Sequence, residues 1–374
     1  MNDRIKKHLP LIMAPADAPA AAEPRPRIDL LDVIKAWAII TVIFCHLPIP
    51  YIRRCVLYPL IVDQAVPVFI LLMGYCYAMS GESHSRTHWE NTKRRIGKLL
   101  RFALPWFLIV LVEICILLAG KHLPESFNPL LYEHFKKFSF GSLFLMGGYG
   151  AGGYFFYVMI QLYLLMPLLD CFKGWKILAA GFCMDLIFEI AARVFDIPLQ
   201  VYRIIALRYA FGVAAGMFLY HFRARRNRTA QYGSRCNIVL LFLAVIGVVY
   251  VCLVTRGGYV SRLVGAYWPT TAMPTVLFLF PALYFLMEKF EKRLFWNTGS
   301  LSGGLLRFCG QRSYHIYLFQ MLFFWIAGMF ISCSGMPLVS RVAVILIAYP
   351  ASMLGGWVLW RIDSSVSGVG QKSN

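Results

Sequence analysis

The sequence predicts an all-α protein, a polytopic membrane bundle of about ten transmembrane helices with both termini in the cytoplasm. Three observations carry this. Of 374 residues, 59% are hydrophobic and only 15% charged, where a soluble domain has about a quarter charged; the mean hydropathy is +0.63. Runs of about 20 apolar residues, enough to span a bilayer, recur along the chain. Basic residues fall in bursts between those runs, as in cytoplasmic loops. The runs are continuous rather than alternating, which argues against a β-barrel. The net charge of +19 comes with no basic–aromatic surface outside the spans. The expected partner is therefore the lipid bilayer and not nucleic acid.

Residues 1–27 are rich in Ala, Pro and charge and read as a disordered cytoplasmic tail, because their apolar core is too short and proline-broken for a signal peptide. The first span, 30–50, then serves as an uncleaved anchor, and the second covers 59–80. The third, 102–120, follows the basic stretch "RTHWENTKRRIGKLLR" and holds a lone acid, Glu113. The fourth, 154–172, opens from "GSLFLMGGYGAGGYF" and stacks Tyr157 and Gln161 at i, i+4. That glycine-rich stretch lacks the Gly-Lys-Ser/Thr ending of a phosphate loop and reads as a flexible outer connection bordering an acceptor groove. The fifth, 177–193, is short; Asp185, Glu189 and Arg193, spaced by four, read as a salt-bridged helix end. The sixth, 204–221, opens with Arg208 before "YAFGVAAGM". Spans at 237–255, 268–288, 313–333 and 339–360 complete the series. "CFKGWK", "FRARRNRTAQYGSR" and "EKFEKRLFWNTGSLSGGLLRFCGQR" join spans as cytoplasmic loops. The membrane domain is thus 28–361, with a cytoplasmic tail at 362–374. The ten cysteines lie mostly inside apolar runs and lack metal spacing, so they read as packing residues and no metal site is expected.

The first span carries a polar stripe. Lys35 and His46 are eleven residues apart, about 20° past three full helical turns and roughly 16 Å along the axis. They share a face, and Asp32 is close enough to pair with Lys35. A lipid-facing polar stripe is unstable, so this face turns inwards; the alternative is that Lys35 snorkels to one interface and His46 caps the other end. On the ninth span Ser313, Tyr317 and Gln320 stand at i, i+4 and i+7 and line one face. Helix–helix hydrogen bonding is the competing use of Ser, Tyr and Gln there, and of Tyr157 and Gln161. Glu113, isolated in hydrocarbon, needs a partner such as Lys35, His46 or a sugar hydroxyl.

Four stretches carry a resemblance. "RIDLLDVIKAWAIITVIFCH" is similar to the opening of acyltransferase family 3 membrane proteins, where a basic residue, usually arginine, precedes a histidine by eleven positions; Lys35 and His46 stand there. "AVPVFILLMGYCYAMS" resembles the second helix of the family, with Met73 in place of its usual serine. "NTKRRIGKLLRFALPWFLI" resembles the basic loop leading to a proline at the third helix. "CGQRSYHIYLFQMLFF" resembles a late motif that ends at Gln320. An arginine before the sixth helix, best matched by Arg208, is a further family feature.

The resemblance implies an integral acyltransferase of the plasma (inner) membrane that acylates surface or exported glycans. The donor would be cytoplasmic acyl-CoA, most commonly acetyl-CoA, used as a co-substrate with no permanently bound cofactor. Its phosphates would meet Arg94, Arg95 and Arg101, its thioester would pass Lys35, and His46 would act as general base or brief acyl carrier. Glu113 would assist, while Tyr157, Gln161, Arg208, Ser313, Tyr317 and Gln320 would hold substrate. A proton-coupled transporter of a small molecule or lipid-linked glycan is the alternative, though no internal repeat is evident.

Overall fold

The computed structural model describes residues 29–47, 58–82, 88–122, 136, 139, 141, 143–144, 152–228, 233–255, 273–290, 301–333 and 338–367. Regular structure among them is helical, with no strand. The principal helices are α1 (Asp29–His46), α2 (Ala65–Glu82), α3 (His88–Lys121), α4 (Tyr154–Asp170), α5 (Trp175–Val194), α6 (Ala210–Arg228), α7 (Gly233–Thr255), α8 (Val276–Phe290), α9 (Leu301–Gln311), α10 (Ser313–Cys333) and α11 (Leu338–Ser367). Among the described residues, four stretches are long and apolar enough to cross a membrane: Tyr58–Ser80, Phe102–Lys121, Cys236–Leu253 and Val342–Val366.

The apolar surplus is distributed as a lipid-embedded bundle requires. On α7, Ile238, Val239, Leu241 and Phe242 are exposed, and so are Leu346, Ile347 and Leu354 on α11. Such a belt is stable against hydrocarbon and unstable against water. Inside, one core joins α1, α2, α8 and α10. A second joins α2, α4 and α6. Helix α2 is shared by both and holds the two halves together.

Small residues set the helix separations. A Cβ on Gly74 would overlap the Val213 carbonyl oxygen, and one on Gly216 would overlap that of Leu71. Helices α2 and α6 therefore touch backbone to backbone, the arrangement that small residues permit in membranes. On α11, a Cβ on Gly356 would overlap the Ile316 backbone of α10 and one on Gly355 the Phe319 ring.

Three features depart from the sequence reading. Helix α3 begins at His88, so most of the basic connection expected before residue 102 is helical. At 1.5 Å per residue its 34 residues reach about 51 Å, far more than a hydrocarbon core of about 30 Å; its polar first third must project from the membrane. The stretch 301–311, expected within a loop, forms α9 and packs on α1. It lacks a long apolar run, and tertiary packing stabilises it: a Cβ on Gly310 would overlap the Asp32 carbonyl oxygen. Finally, α11 runs on to Ser367, past 362, where a tail was expected to begin.

Replacing Gly216 by alanine forces α2 and α6 apart and is expected to cost about 1–3 kcal/mol. Gly304 has nothing within 4 Å of an added Cβ, so Gly304→Ala should be neutral or slightly stabilising. Thermal unfolding of the two variants in detergent, read against the parent, checks the pair.

Candidate functional site

A cavity of about 430 Å³ opens at the end of the bundle that holds the start of α1. Its floor and walls are apolar, from Phe69, Leu72 and Met73 of α2, Phe102 of α3 and Phe155 and Met159 of α4. Its polar rim comes from Asp32 and Lys35 of α1, Gln311 of α9, and Ser313, Tyr314, His315 and Tyr317 of α10. Lys35 Nζ lies 3.6 Å from Asp32 Oδ1, with about a third of the lysine exposed (30%). The pair leaves the ammonium partly free to meet an anionic ligand. Because Gly310 lets α9 rest on the Asp32 backbone, the rim is braced from outside the first helix.

Three of the sequence-selected residues, Lys35, Ser313 and Tyr317, meet in this cavity. The Tyr317 hydroxyl donates to the Gly152 carbonyl at 2.7 Å, which ties the glycine-rich connection to α10. Gly152 adopts φ +104° and has no room for a Cβ beside that hydroxyl, so only glycine satisfies both demands. One turn further along α10, Gln320 is fully buried, and neither its amide oxygen nor its nitrogen has a hydrogen-bond partner. A turn beyond that, the Phe324 ring lies 5.8 Å from the half-buried His46 imidazole. The polar stripes of α1 and α10 thus run side by side, from the cavity at the Lys35 end to His46 at the other.

Other expected residues lie elsewhere. Glu113 is wholly buried on α3 but is not among the residues lining the cavity. The Tyr157 hydroxyl donates to the Phe144 carbonyl, and its ring meets Trp106 edge to face. Gln161 clamps backbone: its Nε2 donates to Ile204 O at 2.7 Å and its Oε1 accepts from Ala206 N–H at 3.1 Å. That clamp supports the break between the short helix Leu199–Ile204 and the 3-10 turn Ala206–Tyr209. Arg208 on this turn is buried, its guanidinium 4.4 Å over the Tyr202 ring and 4.6 Å over that of Tyr209.

Asp185 and Glu189 also face this cluster, and Tyr202 donates to Glu189. The two acids are buried while Arg193, one turn on from Glu189, is exposed, so the helix end expected from their spacing also faces the Tyr202–Arg208 cluster. Spacing by four places residues on one face but does not say which neighbour that face meets. Arg94, Arg95 and Arg101 belong to the first half of α3; their side chains lie outside the described residues.

Sequence reasoning missed two paired groups. His315 Nε2 lies 3.1 Å from Asp363 Oδ2. The histidine sits inside the late motif, but it lies off the Ser313–Tyr317–Gln320 period that was read there, and Asp363 falls beyond the expected domain boundary. Buried Arg223 donates to Tyr75 Oη at 2.7 Å and lies 3.9 Å from Glu288. Its only sequence signal was an arginine among several at the end of a span.

The family model described as an acyltransferase domain matches residues 28–361, nearly the whole chain. The protein belongs to acyltransferase family 3. No curated protein and no solved structure matches it. This family 3 chain is a membrane acyltransferase, and the polar stripe of its first helix sits inside the matched domain.

Gln161→Leu tests the division between scaffold and site. Losing two hydrogen bonds to buried backbone is expected to lower stability by about 1–3 kcal/mol. The readout is a lower unfolding midpoint; an unchanged midpoint with weaker substrate binding would instead give Gln161 a substrate role.

Proposed function

We propose that this acyltransferase moves an acyl group, acetyl first among candidates, from cytoplasmic acyl-CoA to a hydroxyl of a cell-surface or exported glycan at the plasma membrane. In this reading the chain crosses the membrane ten times with both termini in the cytoplasm, as the basic bursts favour. The cavity then opens to the cytoplasm, and His46 lies towards the outer face.

The observation that carries the reading is the alignment of one cavity with two polar stripes. The volume suits part of a small-molecule ligand and the wall is mostly apolar with a few polar groups. Lys35 at the rim attracts an anionic donor. Arg94, Arg95 and Arg101, on the projecting start of α3, receive the nucleotide phosphates. The thioester passes Lys35 and moves up the bundle between Ser313 and Tyr317 towards Gln320, whose unbonded amide supplies a donor and an acceptor to substrate. At the far end the His46 imidazole takes the proton of the acceptor hydroxyl, or carries the acyl group briefly, chemistry that a neutral imidazole performs near pH 7. Glu113, buried on α3, supports the charge balance of this interior. Arg208, Tyr157 and Gln161 hold the outer wall against which the glycan would rest.

Transfer of label from acetyl-CoA into membrane glycans tests the reading, with wild type and His46→Ala at matched expression. Wild type should label, and the variant should fall by about 100-fold or more. Equal labelling would remove His46 from the chemistry. No label from acetyl-CoA or succinyl-CoA in the wild type, together with substrate accumulation in proteoliposomes, would establish transport instead.

A further inference from the structure

The His315–Asp363 pair has no part in the mechanism above, yet it stands at the cavity. His315 is 7% exposed and forms part of the wall. Its Nε2 meets the Asp363 carboxylate. A carboxylate can only accept, so the ring proton sits on Nε2 and the lone pair on Nδ1. Nδ1 is itself buried with no hydrogen-bond partner. A second proton there would bury an unpaired N–H, so the pair presents a fixed acceptor and nothing else. An acceptor held this way beside an apolar cavity selects a ligand with an N–H donor set in an apolar chain.

Resting on the reading of the protein as an acyl-CoA enzyme, we propose that His315 Nδ1 accepts a hydrogen bond from an amide N–H of the pantetheine arm, with Asp363 as the residue that fixes the tautomer. The arm has that chemistry: two secondary amides along a largely aliphatic chain. The placement agrees. His315 lies nine residues before Phe324, about 14 Å along α10 from the level of His46. An arm gripped at His315 carries its thioester up the bundle while the nucleotide stays at the rim. The cavity therefore holds the arm, and the acyl group lies beyond it. Met73, Phe155 and Met159 line the arm's path and not the acyl group itself.

Binding of unreacted fragments to the purified full-length protein separates this idea from the broader one. The fragments are CoA, pantetheine and adenosine 3′,5′-bisphosphate. With His315→Leu, Kd for CoA and for pantetheine should each rise about tenfold, the worth of one such hydrogen bond, while Kd for the bisphosphate stays unchanged. His315→Gln, which keeps an acceptor, should recover part of the loss. Asp363→Asn, whose amide can donate to Nε2 and drive the ring proton to Nδ1, should weaken pantetheine without His315 being touched. Unfolding midpoints of the three variants show that each is folded. Equal loss for all three fragments, or pantetheine affinity unchanged in His315→Leu, overturns the assignment. A fall in turnover with no change in CoA or pantetheine affinity also overturns it and makes His315 a base. Absence of CoA binding by the wild type sinks the acyl-CoA reading itself, and this inference with it.

Discussion

The close approach of helix backbones is the constraint on which the rest of this molecule depends. In hydrocarbon, helices gain nothing from burying apolar side chains against one another, so contact distance and van der Waals fit decide how they associate. Gly74 and Gly216 bring α2 onto α6, Gly355 and Gly356 bring α11 onto α10, and Gly310 brings α9 onto the start of α1. The cavity is what remains among α1, α2, α3, α4 and α10 once those contacts are made. Its rim is set by the same contacts, since the Asp32 carbonyl is the surface on which α9 rests.

Within that frame, buried polar groups divide into two kinds. Some are used up in holding the fold: Tyr202 on Glu189, Arg223 on Tyr75, Gln161 on the Ile204 and Ala206 backbone, Tyr314 on the Phe102 carbonyl at 2.6 Å. Others keep capacity in reserve. The Gln320 amide and the His315 Nδ1 are buried without partners, and both lie along α10, the helix that borders the cavity. Unmet hydrogen-bonding capacity is expensive in a low-dielectric interior, so these two groups on the helix that borders the cavity are where a polar ligand would find partners. The family membership of residues 28–361 says what kind of reaction the protein carries out.

Much of this was legible in the chain. The expected apolar runs overlap described helices, and among the described residues four stretches are long and apolar enough to cross a membrane, because hydrophobic length is a local property. The Asp32–Lys35 pair follows from spacing within one helix, and so does the shared face of Ser313 and Tyr317. Legibility ended where a residue's role depends on a second element. Tyr157 and Gln161 were stacked as expected, yet their partners, Phe144 and the Ile204–Ala206 backbone, come from other segments. Asp185 and Glu189 were read along their own helix with Arg193, and the fold adds Tyr202 and Arg208 from another segment before them.

By itself, then, the sequence determined a helical membrane protein, the polar face of its first helix and its family, since composition, run length and short motifs are written in consecutive residues. Only the tertiary structure decided that α9 is a helix, that Lys35 shares a cavity with Tyr317, and that His315 is held by Asp363 from 48 residues away. The reason is physical. A helix determines which of its own residues share a face, but which helix that face meets depends on the packing of the whole bundle.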